Sequence, residues 1–253
     1  MSSSPADPIM TFFGRYVSHE MSDPQSGLYL PSLIKEMSLE PYSFGAMNVD
    51  QVTETDDIIC LRPDEDVQPA CNGYPRIKLT DIMVKGLSNI VVYQEPVYRD
   101  VNHFELSFTF TKPDQTSSLT FYGDFRLDQQ CRYPEGTAGK HDFTATGKGT
   151  FTAIVGTAYI KVLGEMNTDG QKITALVDQI QFDALAFIED KRNISISVDI
   201  TEHEDWNFYA EQALNMETTI GQMTAQLSGA LNGESIRQVF ADKITKKINE
   251  VIS

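Results

Sequence analysis

The sequence predicts an α+β domain in which an antiparallel sheet with one buried face is covered by helices from both ends of the chain. Three observations carry that expectation. Apolar residues recur at helical spacing before residue 40 and after about residue 206, they alternate with period two from Arg76 to about Thr201, and no central helix interrupts the alternating run. With 253 residues, 41% of them hydrophobic, and no break in composition, the chain reads as one domain, 1–253, whose residues 1–75 form a helical and extended N-terminal segment.

Each element follows from its pattern. Ile9, Phe13, Val17 and Met21 recur every four residues, and Leu30, Leu33, Ile34 and Met37 repeat the motif after a break at Pro24 and Gly27, so two short amphipathic helices are expected. Residues 40–75 carry acidic clusters, four prolines and no sustained period, which reads as an extended stretch lying over the surface. In the sheet region Phe104, Leu106, Phe108 and Phe110 face one way, and His103, Glu105, Ser107 and Thr109 face the other, expected to be wet. Leu119, Phe121, Phe125 and Leu127 form a second such stripe, and Ile194, Ile196, Val198 and Ile200 a third. Turns are expected at Lys112-Pro113-Asp114, across Pro134 to Gly139, and at Asn167-Thr168-Asp169-Gly170. Beyond residue 206, Met216, Ile220, Met223, Leu227 and Leu231 line one helix, and Ile236, Phe240, Ile244, Ile248 and Ile252 another. Asn232 can cap the last helix, Glu234 sits in its first turn, and Lys243, Lys246 and Lys247 lie toward its negative end.

Charge and composition exclude several functions. Acidic residues outnumber basic ones 36 to 20, for a formal charge of −16, which repels nucleic-acid backbones and anionic lipid surfaces, so neither nucleic-acid binding nor membrane insertion is expected. No apolar run is long enough to cross a membrane, and Met1-Ser2-Ser3-Ser4-Pro5 lacks a signal core, as in a cytosolic chain or a secreted one already trimmed. There is no Gly-x-Ser-x-Gly elbow, Gly136 to Lys140 is too short for a phosphate loop, and His19, His103, His141 and His203 are scattered, so no enzyme, catalytic residue or metal site is expected. The acidic run around His203 reads as a solvated loop rather than a metal site. A bridge between Cys60 and Cys71 would close a Pro-bearing loop, worth about 3 kcal/mol in the chain-entropy account. Cys131 is then left over as a small buried hydrophobe. Asn193-Ile194-Ser195 is a glycosylation sequon, meaningful if the chain is secreted.

Five motifs resemble, in order, those of the insect takeout and juvenile-hormone-binding protein family. They are Val84-Lys85-Gly86-Leu87-Ser88-Asn89 at the end of a strand, the aromatic strand Phe104 to Phe110, and Leu119-Thr120-Phe121-Tyr122-Gly123-Asp124-Phe125. Gly147-Lys148-Gly149-Thr150-Phe151 is similar to the family's Gly-x-Gly-x-Phe turn into a strand, and Leu231-Asn232-Gly233 precedes a C-terminal amphipathic helix. The similarity runs from about residue 76 to the end. The cysteines depart from the family pattern, in which a pair lies ahead of the first helix; mite group 7 allergens and other tubular lipid-binding proteins are more distant resemblances.

That resemblance implies a long, strongly curved antiparallel sheet wrapped around a long C-terminal amphipathic helix, with an elongated apolar tunnel between them. The aromatic bulk of the sheet independently exceeds what docking a helix requires, and Met216 and Met223 supply adaptable walls. Candidate ligand-lining residues are Phe104, Leu106, Phe108, Phe110, Phe121, Phe125, Phe151, Met216, Met223, Leu227, Ile236 and Phe240, with Tyr93 and Tyr98 at the mouth to orient a head group. The function expected is a secreted carrier, in haemolymph-like fluid or cuticle, with no cofactor but with a bound terpenoid, fatty acid or carotenoid-type pigment. The alternative is an interaction or immune-recognition protein of the same fold with a filled core, whose acidic exterior meets a protein receptor or a microbial surface.

Overall fold

The computed structural model describes residues 8–49, 60, 62, 65–73, 76–98, 102–110, 119–169, 172–183, 187–188, 191–201, 211, 214–215 and 217–252. The four-residue spacing at the N-terminus produces helix α1 (Pro8–Ser22), which buries Phe13, Val17 and Met21 and leaves Phe12 exposed on its far side. Helix α2 (Leu30–Glu36) opens with a proline in its first turn, where no donor is lost, and buries Leu30, Leu33 and Ile34.

The antiparallel sheet runs as two hydrogen-bonded sections. In chain order the strands are β1 (Tyr42–Val49), β2 (Ala70–Cys71), β3 (Arg76–Lys85), β4 (Ile90–Tyr98), β5 (His103–Phe110), β6 (Leu119–Arg132), β7 (Phe143–Val155), β8 (Tyr159–Asp169), β9 (Lys172–Asp183), β10 (Phe187–Ile188), β11 (Lys191–Arg192) and β12 (Ile194–Ile200). The first section has the order β1-β3-β6-β7-β12, with β2 beside β6; the second has the order β4-β5-β8-β9; β10 and β11 form a separate hairpin. Helices α3 (Glu217–Leu231) and α4 (Glu234–Ile252) follow, with α4 lying against β9. The buried residues of α1, α2, both sheet sections, α3 and α4 belong to a single hydrophobic cluster.

Bulges bend the strands. On β3, Asp81 adopts φ 51° where the register with β6 shifts between Thr80 and Met83. The residue opposite is Gly123, where a Cβ would come 2.6 Å from Thr80 O, so only glycine fits against the bulge. The register of β8 with β9 shifts between Leu163 and Gly164, leaving Asp178 as the extra residue; burial, and then the carboxylate of Glu165, push its pKa up, while His103 opposes the rise. The Gly-x-Gly-x-Phe segment is not a turn: Gly147 and Gly149 lie in the middle of β7. At the hairpin expected around Asn167 to Gly170, β8 and β9 pair as far as Asp169 opposite Lys172, Gly170 itself lying outside the described residues, and the turn across Pro134 to Gly139 joins β6 to β7. The turn expected at Lys112-Pro113-Asp114 lies outside the described residues.

Residues 40–75 hold more regular structure than their composition suggests, because β1 pairs with β3 over most of its length. Glu40, just ahead of β1, accepts the backbone N–H of Gly86 and of Ser88, both at 2.7 Å, at the short 3₁₀ turn Leu87–Asn89. Burial raises the Glu40 pKa, but the Ser88 hydroxyl, these two N–H groups and Lys35 outweigh it, and the net shift is downward. A depressed folded pKa means that stability is present above the unfolded carboxylate value, about 4.3, and is lost as pH falls through the lower folded value. Glu40→Gln is therefore expected to flatten this part of the acid limb in urea titrations repeated across that range.

Polar side chains from the C-terminal region bond to one edge strand of each section, β9 and β12. On β9, Asn249 Oδ1 accepts from Ala175 N at 2.9 Å and Asn249 Nδ2 donates to Ala175 O at 3.0 Å; Thr245 Oγ1 accepts from Val177 N at 3.0 Å. Asn232 does the same for Phe182, with Oδ1 accepting at 2.6 Å and Nδ2 donating at 3.1 Å, so its side chain is engaged on β9 rather than spent as a helix cap. On β12, Asn215 brackets Ile196, and Glu211 Oε1 accepts from Val198 N at 3.2 Å. These bonds occupy edge groups that would otherwise be open to another chain. Asn232→Ala is expected to cost about 1–3 kcal/mol, because both backbone groups of Phe182 lose their partner. Loss of hydrogen-exchange protection at the Phe182 amide, read beside the unfolding midpoint, checks this.

The cysteine pairing differs from the sequence expectation. Cys60 bridges Cys131, not Cys71, across a separation of 71 residues. The reason is sheet pairing: β2 lies antiparallel to β6 with Cys71 directly opposite Cys131, and Cys60 reaches the same place. Cys131 is accordingly a bridge partner and not an isolated buried thiol.

Candidate functional site

The apolar interior is built from alternate residues of the two sheet sections. Phe104, Leu106, Phe108 and Phe110 of β5, Phe121 and Phe125 of β6, and Phe151 of β7 are each at most 3% exposed, and all belong to the common cluster. Met223 of α3 joins them with Ile220, and α4 contributes Ile244 and Ile248. Tyr93 lies in β4, Leu227 in α3, and Ile236 and Phe240 in α4, with side chains outside the described set; Met216 lies outside the described residues.

Three of the rings have partners within the sheet. Phe104 lies over its cross-strand neighbour Gly164, where a Cβ would come 2.6 Å from the ring, and Phe151 is placed similarly against Gly123, at 3.1 Å. Phe110 tilts against Phe182 of β9 with ring centroids 6.2 Å apart. Tyr98 packs its hydroxyl against Gly14 of α1, where an added Cβ would overlap it unless the tyrosine moved. Burial raises the Tyr98 pKa, with the Gly14 backbone and Arg15 opposing. Its place is the α1–β4 contact.

The supposedly wet face of β5 is dry: Glu105, Ser107 and Thr109 are all under 9% exposed. Long side chains from the flanking strands cover them. Gln94 Nε2 on β4 donates to Ser107 Oγ at 3.1 Å, and Lys161 Nζ on β8 sits 3.0 Å from Glu105 Oε1. Thr109 Oγ1 donates to Ala158 O at 3.0 Å. The spacing correctly sorted the two faces, but alternation cannot report what neighbouring strands lay across a polar row.

Among the described residues no group of three His, Cys, Asp or Glu is placed to hold a metal ion. His103 Nε2 contacts Glu165 Oε1 at 2.9 Å on the partly exposed strand surface, His19 and His141 are exposed, and His203 lies outside the described residues. Asn193 serves the fold, since Nδ2, the atom a glycan would modify, donates to Thr157 O at 2.8 Å, and Oδ1 accepts from Thr157 N at 2.8 Å.

One feature that the sequence pattern did not single out is a depression of 390 Å³ lined by Met37, Asp242, Lys243 and Lys246, where the end of α2 meets α4. Met37 also packs against the hydrophobic cluster. Lys243 and Lys246, three apart on one helix face, stand 4.0 Å from Glu36 and 3.9 Å from Glu250, so both cations are only loosely engaged. The signal for it was the lysine spacing on α4; the partner surface comes from Met37, more than 200 positions earlier, and leaves no local trace.

No family model matches the sequence, and no curated protein matches it. Among solved structures the chain is similar to the crystal structure of Epiphyas postvittana Takeout 1, at 14% identity over 93% of this chain and 89% of that one, with a TM-score of 0.39. It is also similar to the crystal structure of lipopolysaccharide binding protein, at 9% identity over 87% of this chain, with a TM-score of 0.42; the match spans 37% of that protein's length.

Proposed function

We propose that this chain is a secreted carrier that sequesters an elongated apolar small molecule, a terpenoid, fatty acid or carotenoid-type pigment, between its sheet sections and C-terminal helices. The observation that supports it most is the convergence of phenylalanines from β5, β6 and β7 on one apolar interior, with Met223 as a deformable neighbour. Burying about 400 Å² of ligand surface at about 25 cal/mol/Å² yields about 10 kcal/mol gross, enough for micromolar or tighter binding after ordering losses. The Cys60–Cys131 bridge suits an oxidising compartment. Within this class Lys243 and Lys246 beside Met37 favour a ligand with an anionic head, such as a fatty acid.

A rival is favoured by the packing of Phe104 on Gly164 and Phe151 on Gly123, which is what a filled core would show. In that case the fold is an interaction module, with its acidic exterior as the working surface. Titration of the delipidated protein with an apolar fluorescent probe, followed by competition with a fatty acid and its methyl ester, separates the two. The carrier requires displacement at micromolar concentration or below; an inert probe, together with the absence of any co-purifying mass in native mass spectrometry, would leave the filled core. Charge reversal at both lysines (Lys243→Glu with Lys246→Glu) is expected to weaken the acid about tenfold, or about 1.4 kcal/mol, and to leave the ester unchanged.

A further inference from the structure

Three cysteines that are 11 and 60 positions apart in sequence meet at the junction of β2 and β6. Cys60 is joined to Cys131, while the Sγ of Cys71 stands 2.9 Å from the Sγ of Cys60, closer than two sulfurs normally approach without bonding. Cys60 and Cys131 are buried and Cys71 is half-buried. A thiol held against a disulfide sulfur is the reactant pair for exchange, which proceeds by thiolate attack on one sulfur with the other as leaving group.

We propose that this cluster is an intramolecular thiol–disulfide exchange site, in which Cys71 attacks Cys60 and releases Cys131. The Cys71 thiol loses its proton and its Sγ forms a new bond to Cys60 Sγ. The Cys60–Cys131 bond breaks, its electron pair leaves on Cys131 Sγ, and that sulfur takes up a proton. One disulfide and one thiol stand on each side, so no oxidant or reductant is consumed.

The surrounding bonds allow the switch without unfolding. The segment carrying Cys71 stays on β6 through the β2 ladder, through Asn72 N donating to Gln130 O at 2.8 Å, and through Gln129 Nε2 donating to Gly73 O at 3.0 Å. Farther along the same segment, Glu65 holds Tyr133 and Lys140, at 2.5 and 3.1 Å. Among the described residues, the charged groups nearest in the fold include Arg62, stacked on the Phe143 ring opposite Cys131, and, next to Cys131 on β6, Arg132, which pairs with Asp142. Exchange changes which thiol the chain presents. Before it, the thiol belongs to half-buried Cys71; after it, to Cys131, which is 1% exposed. The site thereby converts an accessible thiol into a masked one, independently of whether the interior carries a ligand.

The test uses the intact wild-type chain, incubated without reductant from mildly acid to mildly alkaline pH, quenched in acid, alkylated, digested under acid conditions and mapped by mass spectrometry. The expected result is two species, Cys60–Cys131 with label on Cys71 and Cys60–Cys71 with label on Cys131. They should interconvert at a rate rising about tenfold per pH unit while the attacking thiol is still mostly protonated. Label confined to Cys71 at every pH after prolonged incubation overturns the proposal, as does accumulation of Cys71–Cys131, which would mean a different sulfur is attacked. The Cys131→Ser variant, refolded in air, should bridge Cys60 to Cys71; recovery of that variant folded with both residues as thiols also overturns it. The wild-type time course decides even where the variant does not fold.

Discussion

Replacing Gly149 by alanine is expected to destabilise the protein by about 3 kcal/mol or more, a large share of the stability of an ordinary domain. A Cβ on Gly149 would lie 1.8 Å from the carbonyl oxygen of Asp199 and 2.7 Å from its carbon. Both are backbone atoms of β12, which pairs with β7 along its whole length, so no rotamer change relieves the overlap and the two strands must separate. Gly147, two residues earlier on the same strand, is the internal control. There a Cβ would meet the side chain of Ile200 at 3.6 Å, an ordinary contact, and Gly147→Ala is expected to be neutral or stabilising by up to about 1 kcal/mol. Urea unfolding of the two variants, side by side, measures both; equal midpoints would refute the close approach of β7 to β12.

Removing the shared sulfur is the second large effect. Cys60→Ser abolishes a bridge that closes a loop of 71 residues, and the chain-entropy account assigns such a closure about 4 kcal/mol. Cys71→Ser leaves that bridge in place and is expected to change stability by less than about 1 kcal/mol. Thermal and urea unfolding of the two variants, compared with reduced wild-type protein, check the assignment. Cys60→Ser should match the reduced wild type, and Cys71→Ser the oxidised one. The opposite ranking would place the stabilising bond between Cys71 and Cys131, and an equal loss in both variants would place it between Cys60 and Cys71.

The two effects share a cause, since both depend on which strand lies beside which. The strands themselves were legible in the sequence: the alternation at Phe104 to Phe110 and at Ile194 to Ile200 placed β5 and β12 correctly, with the apolar residues inward. The terminal helices were equally legible from four-residue spacing, and α4, Glu234–Ile252, contains the whole stripe from Ile236 to Ile252. The candidate interior was readable as a set of buried rings. The placement of Phe104 over Gly164, and of Tyr98 against Gly14, was not, because the glycine carries no pattern and lies 60 or more positions away in both cases.

Local periodicity therefore determined secondary structure and the inward face of each strand, since both depend on neighbours within a few positions along the chain, and composition alone set the net acidic charge. Register and edge closure belonged to the tertiary structure. Whether Cys60 meets Cys71 or Cys131, whether Asn232 caps a helix or brackets Phe182, and whether Glu105 is wet or covered by Lys161 all turn on pairings between distant segments. Those pairings are set by the summed fit of whole strands rather than by any residue's own preference.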